Sequence, residues 1–514
     1  MNPVRVCSWN INGLRSIQRP LKNILDSLSS DIICIQETKT TPDISSEFAF
    51  ADGYNGYFTH SIHKPGYSGT AIFCRNPLKP IRTYHNLSDI LFESTFREDK
   101  SSNGWNFLMK KLNISHTEAR NLDVEGRVLG LQFSSDLFTT VKTASQIQPL
   151  FVLSIYFPRL NSENVERLNY KHLFQRAVQL CIESLLLENN VVIAGDFNIC
   201  HKMIDHCAPD EIIVDTSCIS FRQWFDQLLV EEQHDENLKT QNNVGLRRFV
   251  DIFRLLHPYR ENAFTCWSSR TNARQTNYGV RLDYILFDSK LVELIKLSNS
   301  NIQADLMIHF NGSDHCPIYA DLPYFYNSDL IFSYSFPPKC SHYWPQCQRK
   351  QMNLESYAVQ KSLSAVTEQT FTSQDAPVSL PHVRNLNTKK RSALKQMKIT
   401  LRESVPIKTA KCIYDQLSST KETTRLVKST SYDSSKAAQS IEAWRNLLSG
   451  PKEPPVCLSH KEPCVMRTVK QLKTIKGNRF GRRFWVCARP QGAPDNPDAR
   501  CNTFFWDDQL PKNK

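Results

Sequence analysis

Five short polar segments, each at the end of an apolar run, carry the residues of this 514-residue chain that could do chemistry. The segments span residues 7–10, 35–38, 194–198, 281–284 and 312–317. They contain carboxylates, carboxamides and a single histidine, His315. Hydrolysis of a phosphodiester needs an activated water, a cation near the non-bridging oxygens and help for the leaving oxygen. Together, the five segments predict one hydrolytic site for phosphate esters.

The acidic residues of these segments suit a metal ion and a water molecule. Mg²⁺ prefers one or two carboxylates together with water and phosphate, so it needs no complete protein cage. Glu37 suits that position, and Asp314 is a candidate second carboxylate. Asp196 could orient or deprotonate the attacking water, and Asp196 and Asn198 are further candidate metal contacts.

The remaining polar residues suit the binding and polarisation of phosphate. Asn10 and Asn198 can donate hydrogen bonds to phosphate without repelling it. Asp283 can pair with His315, because a carboxylate fixes the tautomer of an imidazole and raises its basicity. Taken one at a time, such residues are more often ordinary strand ends, turns or satisfied histidines. Five segments in order, each with a suitable group, are harder to explain in that way.

The segments need strands to hold them, and the apolar runs before them have the lengths of strands. Strand-like runs cover residues 4–9, 32–36, 70–74, 150–156, 191–196 and 282–287, several of them apolar throughout, as in strands buried on both faces. Apolar residues at helical spacing predict an amphipathic helix over 166–188 and a weaker one over 14–28. Residues 97–124 are polar without a clear period and are predicted to form an insertion loop. This mixture predicts one α/β catalytic domain over residues 1–323.

The composition changes after residue 323. Residues 324–455 are rich in Ser, Thr, Lys, Gln and Pro without a persistent apolar period, which predicts a mostly disordered linker. Cysteine, arginine and aromatic residues become dense again over 456–510, which predicts a small second domain. A domain of this size needs a staple such as a bound metal, because its core alone is too small.

The net charge of +12 is distributed unevenly. Residues 457–514 carry 12 Lys and Arg against 5 Asp and Glu, and residues 321–456 carry 19 against 11. The positive charge therefore lies in the carboxyl-terminal part of the chain. A basic tail on a near-neutral body suggests an anionic polymer as partner, nucleic acid first, although such a tail can also be merely solvated.

The cysteines and the amino terminus indicate an intracellular setting. The 16 cysteines lack the regular spacing of a disulfide framework. The amino terminus runs straight into a strand-like segment without a secretory apolar region, and no run of about 18 apolar residues predicts a membrane span. A cytosolic or nuclear chain with reduced thiols fits these features.

Read with their neighbours, the five segments resemble the exonuclease III branch of the endonuclease/exonuclease/phosphatase superfamily, the class II apurinic/apyrimidinic (AP) endonucleases. The resemblance covers about residues 4–322, and residues 272–281 separate the chain from the phosphoinositide phosphatases and deadenylases of the superfamily. It implies a four-layer α/β sandwich of two packed mixed sheets flanked by helices, with Mg²⁺-dependent or Mn²⁺-dependent hydrolysis at one mouth. Tyr156 matches the family's active-site tyrosine, which contacts the scissile phosphate, and Arg281 is assigned to DNA contact.

Three positions depart from the common AP endonucleases. Asn12 replaces an aspartate near the metal, Arg159 replaces an asparagine, and Val280 replaces a tryptophan that walls the pocket for the abasic sugar. Losing that wall weakens recognition of an extruded sugar. The chain thus resembles the type 2 AP endonucleases, which implies that 3′→5′ exonuclease and 3′-phosphodiesterase activities exceed AP endonuclease activity. The implied substrates are abasic DNA, recessed 3′ ends and single-stranded DNA.

Four potential metal ligands lie within 45 residues near the carboxyl terminus. Cys457, His460, Cys487 and Cys501 have the number and type that suit tetrahedral Zn²⁺ in a closed structural site. The alternative is a set of reduced cysteines without a metal. Cys464 is a fifth candidate, which we leave outside the predicted set.

Arginine beside aromatic side chains lies between these ligands. Arg482, Arg483 and Phe484, with Lys470, are candidate contacts for single-stranded DNA, because bases stack on rings and cations hold the backbone. Some of the aromatic residues are expected to form the small core instead. The block resembles the GRF-type zinc finger of the type 2 AP endonucleases, which implies binding of single-stranded DNA.

The linker carries two weaker motifs. Gln351, Leu354 and Tyr357 have the spacing of a peptide that binds the sliding clamp PCNA, although Ala358 breaks the second aromatic position. The basic run at 389–391 is a candidate import signal. It predicts a nuclear protein, with a mitochondrial or cytoplasmic pool as the alternative.

Two other functional classes remain open from the sequence. One is a phosphatase or RNase of the same fold, and the other is a DNA-binding scaffold for damage signalling with a vestigial nuclease. The complete polar set counts against a scaffold, which has no need of it. The sequence therefore predicts a Mg²⁺-dependent DNA-repair nuclease that processes 3′ ends.

Overall fold

The computed structural model describes residues 3–92, 104–140, 148–159, 164–210, 218–229, 249–298, 301–327, 337, 339–348, 453–469 and 481–510. The candidate clamp-binding peptide at 351–358, the basic run at 389–391, Lys470 and most of the predicted linker lie outside these residues. In the described part of the chain, no helix is long and apolar enough to cross a membrane.

Strands dominate the described elements. In chain order they are β1 (Arg5–Asn10), β2 (Ile32–Gln36), β3 (Tyr54–Thr59), β4 (Thr70–Arg75), β5 (Arg82–Tyr84), β6 (Val128–Phe133), β7 (Phe138–Thr139), β8 (Leu150–Tyr156), β9 (Asn190–Asp196), β10 (Phe249–Asp251), β11 (Cys266–Trp267), β12 (Gly279–Val280), β13 (Asp283–Asp288), β14 (Ala304–Leu306), β15 (Ile318–Asp321), β16 (Phe325–Tyr326), β17 (Val465–Thr468), β18 (Arg483–Val486) and β19 (Phe504–Trp506).

Helices cover the sheets and connect the strands. The α-helices are α1 (Leu21–Ser27), α2 (Ser46–Ala49), α3 (Leu87–Phe92), α4 (Gly104–Leu112), α5 (His116–Asn121), α6 (Val165–Leu185), α7 (Ile219–Leu228), α8 (Ile252–Leu256) and α9 (Ser289–Ser298). Short 3-10 turns include Leu14–Ser16, Met203–Asp205, Ser269–Thr271, Ala273–Thr276 and Ser341–Tyr343.

Two six-stranded mixed sheets form the catalytic domain. The first has the order β14-β15-β1-β2-β4-β3 and the second the order β10-β13-β9-β8-β6-β5. The central pairs β1–β2 and β8–β9 are parallel, and the other pairings are antiparallel. Strands β2, β8 and β9 are buried along their whole length. Burial on both faces explains why their sequences are continuous apolar runs.

The sheets pack face to face with helices on both outer sides. One apolar cluster contains residues of both sheets, such as Val6 and Ile72 of the first and Val152 and Val192 of the second. A second cluster joins the outer face of the second sheet to α6, and a third joins the first sheet to α1. The resulting helix-sheet-sheet-helix order is the predicted four-layer α/β sandwich, so the predicted fold class is confirmed.

The insertion loop predicted over 97–124 is wrong for its described part. Residues 104–121 contain α4 and α5, and the second helix begins with a capping box in which Ser115 and Glu118 bond each other reciprocally. Leu108 and Leu112, four residues apart, are buried in the cluster that also holds α6. Their polar neighbours face outward, which hid the short apolar stripe in the sequence.

Two smaller differences concern the ends of the predicted elements. The weak helix predicted over 14–28 is a 3-10 turn followed by α1, which begins directly after Pro20 because proline suits the start of a helix but not its interior.

Beyond residue 323 the chain continues along the catalytic domain, where β16 pairs with β7 and Cys340 and Cys347 are buried. The domain limits of 1–323, 324–455 and 456–510 stay predictions.

A separate small sheet lies near the carboxyl terminus. Strands β17, β18 and β19 pair antiparallel in that order. Trp485 is buried with Cys457, Cys464 and Cys487 in a minimal core. The predicted β-rich second domain is therefore present.

The DNA contact predicted for Arg281 is wrong, because this side chain is only 1% exposed. Its Nε and Nη2 donate to Asp205 at 2.8 and 3.0 Å, and its Nη1 donates to Asp251 at 2.7 Å. Asp205 also pairs with Arg254. The guanidinium therefore connects the segment before β13 to β10 and to the turn after β9. Its role is to stabilise the fold.

Replacing Arg281 with methionine is expected to destabilise the domain. The substitution leaves two buried carboxylates short of a partner, so we expect the free energy of unfolding to fall by about 3–5 kcal/mol. Arg260→Met is the control, because its pair with Asp305 is more than a third exposed and such pairs contribute less than about 1 kcal/mol. Denaturant unfolding followed by circular dichroism measures both. Equal losses in the two variants would contradict the structural role of Arg281.

Candidate active site

The five polar segments converge because the strands that carry them end at one edge of the sandwich. Asn10 ends β1, Tyr156 ends β8 and Asp196 ends β9, while Asp283 begins the antiparallel strand β13. In the pairing register, Asp196 lies beside both Tyr156 and Asp283. Glu37 follows directly after β2. The structure thus brings together the residues that the sequence singled out.

One side-chain amide joins the two sheets at this edge. Nδ2 of Asn10 donates to Oε1 of Glu37 at 3.0 Å and to Oδ2 of Asp196 at 2.9 Å. The hydroxyl of Tyr156 donates to the same Oε1 of Glu37 at 2.7 Å. Asn10 belongs to the first sheet, and Tyr156 and Asp196 belong to the second. The hydrogen bonds therefore fix the sheets relative to each other at the site.

Glu37 is held in its ionised form. Burial of the carboxyl raises its pKa, but hydrogen bonds from Asn10, Lys39 and Tyr156 outweigh burial and hold the pKa below its usual value. Nζ of Lys39 lies 2.9 Å from Oε2 of Glu37. A carboxylate that is ionised, oriented and partly shielded from water suits a divalent cation.

Several residues around the site have left-handed backbone. The φ angles are 52° for Asn12, 53° for Glu37, 51° for Lys39 and 49° for Asn198. Residues other than glycine adopt this conformation at a cost, and such strain collects at functional sites because the surrounding structure must enforce it. In the loops after β1, β2 and β9, the direction of these side chains is therefore set by an unusual backbone conformation that the surrounding structure enforces.

Asp196 is buried among hydrogen-bond donors. The backbone N–H of Asn198 donates to Oδ1 at 2.8 Å, and Nδ2 of Asn198 donates to Oδ2 at 3.2 Å. Burial raises the pKa of Asp196 to about 7, and the charge of Asp283 acts in the same direction. A carboxyl with a pKa near neutrality is suited to accept a proton from water.

His315 and Asp283 form a buried pair. Nδ1 of His315 lies 2.7 Å from Oδ2 of Asp283. Burial lowers the pKa of His315, but the charge of Asp283 outweighs burial and raises the pKa well above its usual range. The raised pKa favours the protonated imidazole, which can donate to an anionic oxygen.

Asp314 is half-buried beside this pair. Oγ of Ser313 lies 2.7 Å from the backbone oxygen of Asn10 and 3.3 Å from Oδ1 of Asp314. Ser313 thus ties the segment at 312–317 to the end of β1. The contact keeps the carboxyl of Asp314 near the end of the strand that carries Asn10.

The donor atoms of the site fit a hard divalent cation. Mg²⁺ and Mn²⁺ prefer carboxylate and carboxamide oxygens, which four residues offer: Glu37, Asp196, Asn198 and Asp314. Ligand atoms of Asp196, Asp283 and His315 also lie within 4.8 Å of one another. Oδ1 of Asp283 is buried and has no hydrogen-bond partner among the described residues. The oxygens, rather than the imidazole of His315, are the donors that such a hard cation prefers.

Sequence reasoning missed two buried cations that support the site. The guanidinium of Arg127 lies 4.5 Å from the ring centre of Tyr156, and its Nη1 donates to the backbone oxygen of Tyr156 at 3.1 Å. Nζ of Lys171, in α6, donates to the backbone oxygen of Asn198 at 2.9 Å. Burial lowers the pKa of Lys171 to about 8. Neither residue lies in a polar segment at a strand end, so no local signal marked it.

Small side chains lie next to the histidine. Val280 pairs with Cys266 in the two-stranded β11–β12 sheet, and Cys266 in turn bridges His315. Val280 is half-buried. Val280 is thus connected to His315 through Cys266, by two successive backbone pairings. The resemblance implies a tryptophan at this position, but the chain carries only the small valine side chain.

The four predicted zinc ligands come together in the carboxyl-terminal sheet. Ligand atoms of Cys457, His460, Cys487 and Cys501 lie within 4.8 Å of one another. Nδ1 of His460 is 3.5 Å from Sγ of Cys457 and 3.4 Å from Sγ of Cys487. Two cysteine sulfurs close to one imidazole nitrogen, with a third sulfur nearby, fit the donor set of tetrahedral Zn²⁺.

The predicted DNA contacts of this sheet divide between its two faces. Phe484 stacks with Phe504 at 5.2 Å, and Arg482 lies 4.2 Å from the ring centre of Trp506. Residues alternate along a strand, so Arg483 leaves the opposite side of β18, where it lies 3.1 Å from Asp507. Arg482 and Phe484 therefore share an aromatic face, on which Nη2 of Arg482 is also paired with Asp508 at 2.6 Å.

Comparisons with known proteins bear on this site. Residues 7–315, which include all five polar segments except the last two residues of the fifth, match the model of the Endonuclease/Exonuclease/phosphatase family. The DNA-(apurinic or apyrimidinic site) endonuclease 2 of Xenopus laevis is 34% identical over 98% of this chain and 98% of its own length. The exodeoxyribonuclease of Bacillus subtilis is 28% identical over 61% of this chain and 98% of its own. The crystal structure of the Xenopus laevis APE2 catalytic domain matches with a TM-score of 0.54 and 35% identity, over 68% of this chain and 100% of that one.

The carboxyl-terminal cluster predicts one tightly bound zinc ion per chain. Cys487→Ser removes a thiolate, and the small sheet is expected to lose both its metal and its fold, because metal binding and folding are coupled in such domains. Elemental mass spectrometry of the purified protein measures the zinc. Cys464→Ser is the matched control, since Cys464 is buried in the same core but lies outside the cluster. Equal zinc contents in the two variants would contradict the assignment.

Proposed function

Because the chain belongs to the endonuclease/exonuclease/phosphatase family and resembles AP endonuclease 2 over nearly its whole length, we propose that it hydrolyses phosphodiesters at DNA 3′ ends. It is a DNA-repair nuclease of this family. The finer proposal is a 3′→5′ exonuclease and 3′-phosphodiesterase with weaker AP endonuclease activity. The observation that carries it is the small Val280 side chain, paired with Cys266 beside His315, where a large wall for an extruded sugar would be needed.

The residues at the strand ends are proposed to have different roles in hydrolysis. Asp196, with its pKa near 7, takes a proton from the attacking water. The protonated His315, held by Asp283, donates to a phosphate oxygen on which negative charge grows. Asn10 holds Asp196 and Glu37 in register, and Asn198 orients Asp196. Tyr156 lies against Glu37 and faces the same phosphate.

A divalent cation completes this chemistry. Glu37, with Asp314 and with the oxygens of Asp196 and Asn198, would hold Mg²⁺ or Mn²⁺, and the bound ion would neutralise the non-bridging phosphate oxygens. Lys39 lies 2.9 Å from Glu37 and limits the excess negative charge of the site before DNA binds. Arg127 and Lys171 serve as positioning residues for Tyr156 and Asn198.

The carboxyl-terminal sheet is proposed to hold single-stranded DNA. Its face combines Arg482 with the rings of Phe484, Phe504 and Trp506. Bases of any type stack on such rings, and a guanidinium neutralises the backbone. Structural zinc in the cluster around His460 supports this face. The basic charge of the carboxyl-terminal part of the chain favours the same polyanion.

We also propose that the protein binds the clamp PCNA and is located in the nucleus. The peptide around Gln351 and Tyr357 would bind PCNA, and the basic run at 389–391 would direct import. Both lie outside the described residues. A nuclease that acts where a clamp is loaded would meet recessed 3′ ends, which fits the proposed substrate.

Asp196→Asn is expected to abolish degradation of a labelled 3′-recessed duplex in Mg²⁺. The variant keeps the size of the side chain, but its amide cannot accept the proton and replaces one of the two acceptor oxygens with a donor, so the rate should fall by about 10²–10⁴-fold while DNA binding survives. Single-turnover gels measure the rate, and fluorescence anisotropy measures the binding.

Controls for this prediction separate the proposed activity from its competitors. Asp305→Asn, at a half-buried aspartate that pairs with Arg260 outside the cluster, should keep the wild-type rate. The same preparation is tested on RNA and on inositol phosphates, where a phosphatase or RNase of this fold would act. Full DNA degradation by Asp196→Asn, or wild-type protein that degrades only RNA, would overturn the proposal.

Arg482→Gln is expected to weaken binding of single-stranded DNA in a salt-dependent way. If Arg482 neutralises one phosphate, the slope of log affinity against log salt should fall in magnitude by about 0.7. Arg483→Gln should have a smaller effect, because its side chain leaves the other face. Lys461→Asn removes an equal charge from an exposed left-handed position and is the control. Equal slope changes in all three would argue against a defined binding face.

A further inference from the structure

The carboxyl-terminal module, residues 453–510, contacts the catalytic domain through a short loop. We call residues 268–277 of the catalytic domain the rim loop. The backbone N–H of Gln491 donates to the oxygen of Thr271 at 2.9 Å, and Oγ1 of Thr276 donates back to the oxygen of Gln491. Nη2 of Arg467 lies 3.4 Å from the oxygen of Arg270. These reciprocal bonds fix the module in one register on the loop.

The contact is closely packed as well as hydrogen-bonded. A Cβ atom built on Gly492 would lie 3.2 Å from both Cβ and Oγ1 of Thr276, and 2.8 Å from Cβ of Ala499. A side chain at residue 492 would crowd Ala499 and the side chain of Thr276, so a glycine lets the two segments pack this closely. A larger side chain at 276 would therefore separate the module from the rim loop.

The rim loop is part of the wall of the active site. Arg274 donates to the backbone oxygens of Ser313 at 3.1 Å and Phe310 at 2.7 Å. Its guanidinium lies 4.6 Å from the ring centre of Trp267, whose backbone N–H donates to the oxygen of Asp314 at 2.9 Å. The surface on which the module rests is thus bonded directly to the segment that carries Asp314 and His315.

The aromatic face of the module begins at this contact. Arg467, which reaches the rim loop, is paired with Phe484 in the β17–β18 register, and Phe484 is paired with Trp506 on β19. Residues directly opposite in an antiparallel sheet share one face. The row Arg467, Phe484 and Trp506 therefore runs from the rim of the catalytic site across the proposed DNA-binding face.

We infer that the module is docked on the rim loop so that the catalytic site and the aromatic face hold one DNA molecule together. This inference rests on the proposed function for the nature of the substrate. The 3′ end enters the site, and the single-stranded template beyond a recessed end lies along the row that starts at Arg467. Holding both parts at once makes the second contact intramolecular, which raises its effective concentration.

A rate ratio tests the docking in the full-length chain. Two duplexes share the same 3′-terminal sequence, and one carries a 5′ single-stranded extension while the other is blunt. Thr276→Arg places a long side chain against Gly492, and Gln275→Arg adds the same charge at an exposed neighbouring position. Thr276→Val, which replaces the hydroxyl with a methyl group, is the milder variant, with Thr271→Val as its control because the Thr271 hydroxyl bonds within the loop.

In wild-type protein we expect the recessed end to be degraded at least about tenfold faster than the blunt end under sub-saturating conditions. Thr276→Arg should reduce this ratio towards one, because the recessed-end rate falls towards the blunt-end rate of the same variant, while the affinity for free single-stranded DNA stays unchanged. Gln275→Arg should keep the ratio. A ratio that survives Thr276→Arg, or a wild-type ratio near one in protein that binds single-stranded DNA, overturns the docking inference.

Hydrogen exchange without DNA separates this inference from the proposed function. Peptides that cover 268–277 and 488–494 should be protected in wild-type protein and lose protection together in Thr276→Arg. Unchanged exchange would overturn docking even if single-stranded DNA binds well. Failure of the module to bind single-stranded DNA would overturn the proposed function instead, and linked protection of the two peptides would still support docking.

Discussion

The structure depends on one carboxamide that donates to two carboxylates at once. Nδ2 of Asn10 bonds Glu37 and Asp196, which belong to loops on different sheets. Each bond is short only if the two sheets pack at one spacing and one offset, so the apolar layer between them sets the geometry of the polar edge. The proposed metal site and the proposed base are therefore held at a fixed separation by the core itself. This is the rigid support that a catalytic group needs.

Buried arginines on both sides of this edge are paired with carboxylates. Arg281 neutralises Asp205 and Asp251 beneath the entry to β13, and Arg127 lies under Tyr156 with Glu125 as partner. Lone buried charges would be costly, but a paired guanidinium can anchor several backbone segments through its fixed fork of donors. The site is thus positioned by cations that need not touch the substrate.

The sequence contained most of the site because its residues end strands that are buried on both faces. Asn10, Tyr156 and Asp196 each close a continuous apolar run, so their positions at one sheet edge could be predicted. Arg127 and Lys171 could not, because their partners are distant in sequence and burial of a cation has no local pattern. The helices at 104–121 were missed for a related reason: short amphipathic helices in polar sequence take their stability from packing.

The left-handed backbone at Asn12, Glu37, Lys39 and Asn198 has a consequence for how such a site can change over generations. A substitution there is selected twice, once for the group it presents and once for its tolerance of a positive φ, which excludes β-branched and bulky residues. The side chains that these four positions can carry are therefore limited by the backbone as well as by the chemistry. Val280 lies on ordinary backbone, so a substitution there can change the shape of the site without disturbing the strained positions that hold the hydrolytic groups.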